Sequence, residues 1–281
     1  MKKSLVIVPV NDVEAALIAR IAKAANIDVS ISRQQHGASI DRGRDYVKIL
    51  KEGDWDEVVI VEMPGLTTEE KVEKMGIDVV IIDHHNYTGL IRAKCPRSGR
   101  MLKSSLEQFI KHFKFTDAKL KKLGFDPVLV KGVGIFDRSY IWGLQEEGYS
   151  AKQIEQVMDY QDLLMDDVPG HKHQEERIKA AKKIWEKKRK WKEYFIVENE
   201  TSYHLRSHLS LLAAREFKKP TPLIVHEKKL KRIYVQECKD SMRLFEVFGG
   251  FTYGTHQNWG YRNDRELKKV SLVDVKKILE G

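Results

Sequence analysis

Residues 79–89 read VVIIDHHNYTG. Four β-branched residues, Val79 to Ile82, run straight into Asp83, His84 and His85. A short apolar run without alternation marks a strand buried on both faces. This one ends on side chains that carry protons or ligate metals. The same pattern recurs upstream. Leu5 to Val10 is an apolar run followed by Asp12 and Glu14, Ile27 to Ile31 is a second run, and Glu57 to Val61 a third that ends on Glu62. Between them, residues 12–25 place Val13, Ala16, Leu17, Ile21 and Ala24 at helical spacing. Asp41 to Lys51 puts Tyr46, Val47 and Leu50 on one helical face. Strands alternating with helices predict an α/β fold with a parallel sheet covered on both sides. In such sheets ligands bind beyond the carboxyl ends of the strands.

Composition narrows the class. The 281 residues include 50 Lys and Arg against 41 Asp and Glu, a net charge of +9, and 42% are hydrophobic. That share builds real cores and excludes global disorder. No apolar run approaches the roughly 18–20 residues of a membrane span, so no membrane partner is expected. The first apolar run is short and followed at once by Asp12 and Glu14, which argues for a buried strand over a signal peptide. Two cysteines, Cys95 and Cys238, stand far apart and form no CxxC. Zinc ribbons and disulfide scaffolds are thereby excluded, and a reducing, cytoplasmic setting is expected. The basic balance points to a polyanionic partner.

The rest of the chain divides in two. Residues 103–165 turn helical. Ser104, Ser105 and Glu107 read as a helix start before Leu106, Phe109, Ile110 and Phe113. Val128 to Phe136 is apolar with Gly132 and Gly134, and fits strand or helix. Ser150 reads as the cap of a helix from Ala151 to Leu164. Pro169-Gly170 marks a boundary. From Lys172 to Glu193 there is no Gly or Pro, and ten Lys and Arg stand against four Glu. This stretch is expected to be one long basic connecting helix, either a solvated face with a single apolar stripe or a strut beside a polyanion. A second α/β pattern follows. Ser207 to Phe217 is helical, Leu223 to Val225 and Arg232 to Gln236 are strands, Phe248 to Gly260 is Gly-rich, and a last helix runs from about Ser271 to Leu279. The expected organisation is residues 1–168 as the catalytic domain, 169–194 as the connector and 195–281 as a smaller mixed α/β domain.

Four segments carry candidate chemistry, each expected at a strand end: Asp12-Val13-Glu14, Glu62, Asp83-His84-His85, and Asp137 in VGIFDRSY. One such carboxylate is ordinarily a helix cap or a macrodipole partner. Several converging with a histidine pair suit a divalent ion, and carboxylate-rich donor sets lean toward Mn²⁺ or Mg²⁺. Arg33, Arg42, Arg44, Arg97, Arg100 and Arg138 lie near these ends. Guanidinium groups grip phosphate oxygens bidentately, although each alone is more often a surface ion-pair partner.

These segments, in this order, resemble the DHH phosphoesterase superfamily, whose name-giving triplet matches Asp83-His84-His85. VPVNDVEAA (8–16) resembles that family's first metal motif, a His and two Asp spaced H-x-D-x-D. VVIVEMPG (58–65) resembles the second, LKSSLEQFIKHF (102–113) the Ser-rich helix start after the triplet, and VGIFDRSYIWGLQEEG (133–148) the segment bearing the last metal Asp. The C-terminal part resembles the associated DHHA1 substrate domain, with FGGFTYGTHQNWGY (248–261) in place of its Gly-Gly-Gly-His loop. The resemblance implies metal ligands Asp12, Glu14, Glu62, His84 and Asp137, catalytic roles for Asp83, His84 and His85, and substrate contacts from Gly249, Gly250, Gly254, His256, Arg97, Arg100 and Arg138. It implies Mn²⁺, with Mg²⁺ or Co²⁺ as substitutes, and a cleft between the domains.

The chain departs from that pattern at identifiable places. Val10 stands where the first motif has its His, and Glu14 and Glu62 replace Asp. Phe251, Thr252 and Tyr253 precede Gly254 and His256. One metal site, centred on His84 and Asp137, retains its donors. The other lacks its imidazole, for which His36 in SRQQHGAS is the candidate substitute. The expected activity is hydrolysis of phosphodiester bonds in short oligonucleotides or nucleic-acid ends by metal-activated water. Tyr253, Trp259 and Tyr261 are candidates to stack bases. Two alternatives remain: a degenerate relative that binds nucleic acid or a protein without catalysis, and an inorganic pyrophosphatase or polyphosphatase. The oligomeric state is open, a homodimer included.

Overall fold

The first strand, β1 (Ser4–Pro9, SLVIVP), is buried along its whole length. Its side chains alternate between two cores, because successive residues of a strand point to opposite faces. Val6 and Val8 enter one apolar cluster, Leu5 and Ile7 the other. The computed structural model describes residues 2–34, 38–42, 46–84, 103–165, 174–253 and 258–280. By their contacts the residues form two compact units, Met1–Lys172 and His173–Gly281. Among the described residues no helix is long and apolar enough to cross a membrane.

In the first unit, α1 (Val13–Ala24) follows β1 and leads to β2 (Asp28–Ser32). A 3₁₀ turn (Ile40–Arg42) and α2 (Tyr46–Lys51) follow, so the helix expected over 41–51 is described only at its two ends. Next come β3 (Glu57–Val61), α3 (Leu66–Glu73) and β4 (Asp78–Ile82). The four strands form one parallel sheet in the order β2-β1-β3-β4. In register, Leu5 lies between Asp28 and Val58, and Val61 pairs with Ile82. β1 and β3 are the central strands and the most apolar, as a sheet covered on both faces requires.

The covering layers come from the rest of the unit. α4 (Ser105–His112), α5 (Asp117–Lys122), α6 (Pro127–Glu146) and α7 (Ala151–Leu164) complete it. α1, α4, α5 and α6 bury Leu17, Ile18, Ile21, Leu106, Phe109, Leu120, Val130 and Val133 on one face with Val6, Val8, Val59 and Val61. Residues of α2 and α3 cover the other, with Tyr46, Leu50 and Val72 against Leu5, Ile7, Val58 and Ile60. The apolar stretch 128–136 is therefore helical and belongs to α6.

The second unit begins with α8 (Gln174–Trp185), which stops well short of the expected connector over 172–193. The chain reverses after Trp185 and enters β5 (Arg189–Trp191), paired antiparallel to β6 (Tyr194–Asn199). The connecting-helix expectation failed because Ala181 and Trp185 are buried against Val197, Leu205 and Leu209, which makes α8 a covering helix of this unit. Then come α9 (Arg206–Phe217), β7 (Leu223–Glu227), β8 (Arg232–Gln236), α10 (Ser241–Phe248), β9 (Phe251–Tyr253), β10 (Asn258–Arg262) and α11 (Leu272–Leu279). The sheet is mixed, in the order β5-β6-β7-β8-β10-β9, with β6 and β7 the parallel pair. Gly250 has φ +83°, and a Cβ there would lie 2.4 Å from the Gly260 carbonyl oxygen. Glycine is needed at that turn on both counts.

Leu17 is fully buried between α1 and the central strands. Leu17→Ala should cost about 2–5 kcal/mol of unfolding free energy, read as a lower urea midpoint at unchanged slope.

Candidate metal centre

Four segments converge on one imidazole. Asp12 caps α1, its Oδ1 accepting from the Ala15 N–H at 2.8 Å. Glu14 lies in the first turn of that helix and is 1% exposed. Glu62 follows β3 with φ +54°, a left-handed backbone that ordinary residues rarely adopt. Its N–H donates to the Ile82 carbonyl at 2.8 Å, which locks the turn to the end of β4. His84 follows that strand. Its Nε2 stands 3.0 Å from Asp137 Oδ2, 3.5 Å from Glu14 Oε2 and 3.6 Å from Glu62 Oε1. Glu14, His84 and Asp137 each place a ligand atom within 4.8 Å of the others.

The first turn of α4 holds two of these carboxylates. The Leu106 N–H donates to Glu14 Oε1 at 2.8 Å, and the Ser105 hydroxyl to Glu62 Oε1 at 2.8 Å. Helix N-termini present unpaired N–H groups and a partial positive charge, so carboxylates settle there. Ser104 caps the helix reciprocally with Glu107. Gln108 Nε2 reaches back to the Asp83 carbonyl at 3.0 Å, tying α4 to the end of β4. The sequence reading found the helix start at Ser104-Ser105 but missed what it does. The signal was present, since two serines and a glutamate opening a helix are themselves a capping pattern.

Asp137 does not lie at a strand end. It sits on α6, whose backbone breaks at Tyr140, with φ 59° and ψ −158°. The fourth donor thus reaches the sheet's carboxyl edge from a packed helix. Arg138, expected to grip substrate, is a clamp between helices. Its Nε donates to Glu107 at 2.9 Å, and its terminal nitrogens to Glu147 at 2.7 Å and the Ser139 hydroxyl at 3.2 Å.

The electrostatics follow from burial. Glu14 is pushed up to about 8, first by loss of water and then by the Asp137 carboxylate, with His84 opposing. Asp12 is raised well above the usual carboxylate range by burial, Glu62 and Asp137. Burial alone would lower His84, but hydrogen bonds to Asp137, Glu14 and Glu62 hold it well above the ordinary imidazole value. Three carboxylates, Glu14, Glu62 and Asp137, therefore surround His84, and Asp12 adds its charge nearby, an excess of negative charge that a divalent cation would balance.

Asp83 is buried, with its carbonyl engaged by Gln108, and is not part of the Glu14–His84–Asp137 group. Val10 packs against the apolar core of α1 and the sheet. Arg33 and Arg42 are exposed. His85, His36, Arg44, Arg97, Arg100, Gly254 and His256 lie outside the described residues. In the second unit, the Gly249 N–H is bonded to the Phe245 carbonyl at 2.7 Å, and the Gly249 carbonyl accepts from Trp259 Nε1 at 2.8 Å. Trp259 and Tyr261, expected to stack bases, are 0% and 1% exposed and form the core instead. Their positions alternate along β10 with Asn258 and Gly260 on the opposite face of the sheet, an alternation that the glycine-rich reading of that segment concealed.

No protein-family profile matches the chain, and no curated protein does. Among solved structures it is similar to exonuclease RecJ bound to manganese, at 14% identity and a TM-score of 0.44, over 93% of this chain and 86% of that one. A pGpG-specific phosphodiesterase, PggH from Vibrio, matches at 12% identity and a TM-score of 0.45, over 99% and 97%. The DHH domain of a protein described as belonging to a family of ribosomal proteins matches at 10% identity and a TM-score of 0.45, over 87% and 75%.

Glu14 predicts a pH dependence. Its folded-state value, about 8, lies above the ordinary 4.5, so the folded chain binds this proton more tightly. That contribution to stability is complete below about pH 4.5 and lost as pH rises through about 8. The melting temperature in EDTA should fall across that window. Glu14→Gln, which still accepts from Leu106, should flatten the fall.

Proposed function

We propose that the chain is a metal-dependent phosphoesterase that hydrolyses phosphodiester bonds of short oligonucleotides or nucleic-acid ends. The observation that carries this reading is the donor set, in which buried Glu14 and Glu62 and the more exposed Asp137 crowd the His84 Nε2. One imidazole among carboxylates suits Mn²⁺ or Mg²⁺ better than the thiolate- or imidazole-rich sets typical of Zn²⁺. His84, Glu14 and Asp137 would hold the ion, with Glu62 and Asp12 beside them. A divalent ion at such a site polarises a phosphoryl oxygen and lowers the pKa of a bound water.

The chain's own residues supply the rest. Leu106 and Ser105 fix one oxygen each of Glu14 and Glu62, so both carboxylates keep their direction without substrate. Glu107 and Arg138 brace α6 beside Asp137. The basic balance of the chain favours a polyanionic substrate over a neutral ester. The resemblance of the motifs to the DHH phosphoesterases supports the same reaction class.

One observation favours a second reading, a catalytically silent relative that binds nucleic acid. Val10, at the position of the first motif's His, packs half-buried against the core and offers no ligand. The two readings part in one assay, Mn²⁺-dependent hydrolysis of 5′-labelled oligonucleotides of roughly two to twenty nucleotides. Cleavage by the native chain is expected, and His84→Ala and Asp137→Asn should each lower it by at least about 10²-fold. No cleavage with Mn²⁺, Mg²⁺ or Co²⁺, with oligonucleotide binding intact, would decide for the silent relative.

A further inference from the structure

Asp137 is held differently from the other carboxylates of the site. Glu14 and Glu62 each accept a hydrogen bond from the first turn of α4, and their side chains are 1% and 2% exposed. The Asp137 side chain is 29% exposed and is carried by α6. Its reach toward His84 is set by where the backbone of α6 places residue 137.

That backbone folds back at Tyr140, which has φ 59° and ψ −158° inside α6. Glycine alone enters this region without steric cost. Other contacts depend on the fold-back. Arg138 donates to Glu147, nine residues further on, at 2.7 Å. In a straight helix, residues so spaced lie about 13.5 Å apart along the axis and on opposite sides. The Tyr140 and Trp142 rings are 6.4 Å apart, although residues i and i+2 of a regular helix do not face each other. A Cβ on Gly143 would lie 2.4 Å from the Ser139 Cβ, so glycine is needed for the two segments to approach.

The half of α6 before the break is tied to the helix that holds the other carboxylates. A Cβ on Gly134 would lie 2.5 Å from the Ser104 hydroxyl oxygen, so α6 runs directly against the cap of α4 there. Arg138 Nε donates to Glu107 Oε2, the same oxygen that accepts from the Ser104 N–H. Arg138 thus joins the α4 cap on one side to the segment beyond the break on the other. The Tyr140 ring also packs on Phe136 at 4.7 Å, an aromatic contact that helps offset the strain.

We infer that the fold-back at Tyr140, closed by Gly143 against Ser139 and held by Arg138 between Glu107 and Glu147, is a positioning device that sets the site's affinity for a divalent ion through Asp137. A strained backbone persists only where its surroundings over-determine it, and such residues cluster at sites whose geometry they fix. The inference rests on the reading of the His84 cluster as a metal site and deepens it. Tyr140, Gly143 and Arg138 are positioning residues that act on the ion only by way of Asp137.

The test is Mn²⁺ titration of the full chain by calorimetry, with a circular dichroism melt of each metal-free variant. Gly143→Ala should weaken Mn²⁺ binding about ten-fold, because the added methyl forces the segments apart. Adding Ser139→Gly to that variant removes the obstructing side chain and should restore most of the affinity. Tyr140→Gly and Tyr140→Ala delete the same ring, but only glycine relaxes into the observed φ and ψ. The alanine variant should therefore bind Mn²⁺ about ten-fold more weakly than the glycine variant. A purely structural role would shift the melts and leave the affinity for Mn²⁺ at its native value. Native affinity in both Gly143→Ala and Tyr140→Ala, with Asp137→Asn losing the ion, would overturn the inference and leave the metal-site reading standing. Absence of Mn²⁺ binding by the native chain would overturn both.

Discussion

Burying Glu14 and Glu62 beside each other is the constraint on which the first unit depends. Both are almost wholly removed from solvent, and a buried carboxylate needs hydrogen-bond donors to survive there. One donor to each comes from the opening turn of α4, beside the shared His84 imidazole. Removing that turn would leave two acids without the hydroxyl and amide they now use. The same helix inserts Leu106 and Phe109 into the core shared with α1 and α6. Polar and apolar demands thus fix α4 in one position. Through Glu107 and Arg138 that position extends to the segment of α6 that carries Asp137. The site is a product of packing around one helix end as much as of the strands beneath it.

The second unit resolves a different demand. Its sheet packs apolar clusters on both faces, one under α10 and α11 and the other under α8 and α9, the latter reaching Tyr234 of β8 and Tyr253 of β9. Trp259 and Tyr261 face the core, while their neighbours Gly260 and Arg262 face away. The short strand β9 packs Tyr253 against that second cluster beside Arg206 and leaves Phe251 37% exposed. Glycine at 250 and 260 allows this strand to lie so close to β10.

Much of this was legible in the sequence, for physical reasons that also explain the failures. β1 and β3 were visible because strands buried on both faces must be continuously apolar, and β4 because its apolar run persists although it is half-buried at the edge of the described sheet. The ends of α1, α4, α7 and α11 were visible because Asp12, Ser104, Ser150 and Ser271 are capping residues. Glu14, Glu62, His84 and Asp137 were legible as a set from their motif order. The helix around Asp137 was not, since an apolar stretch with two glycines has no decisive period. The end of α8 was hidden because Lys and Arg continue across the turn into β5, and charge runs carry no stop signal. Trp259 was misjudged because glycines nearby suggested a loop, whereas the alternation along β10 buries it. The clamp role of Arg138 depends on Glu107 and Glu147, whose proximity only the folded chain creates.

The glutamates at 14 and 62 have a consequence for ion choice. Each is one methylene longer than the aspartate of the motif it resembles, yet each is pinned at one oxygen by α4. The pinning removes the freedom that the longer side chain would otherwise bring. Two donors of the cage are therefore oriented before any ion arrives, and a cage that resists widening discriminates by radius. A cage that cannot widen favours ions with short oxygen bonds, about 2.0–2.1 Å for Mg²⁺, over Ca²⁺ at about 2.3–2.6 Å. In this chain, selectivity among hard cations would reside in a serine hydroxyl and a backbone amide that themselves touch no metal.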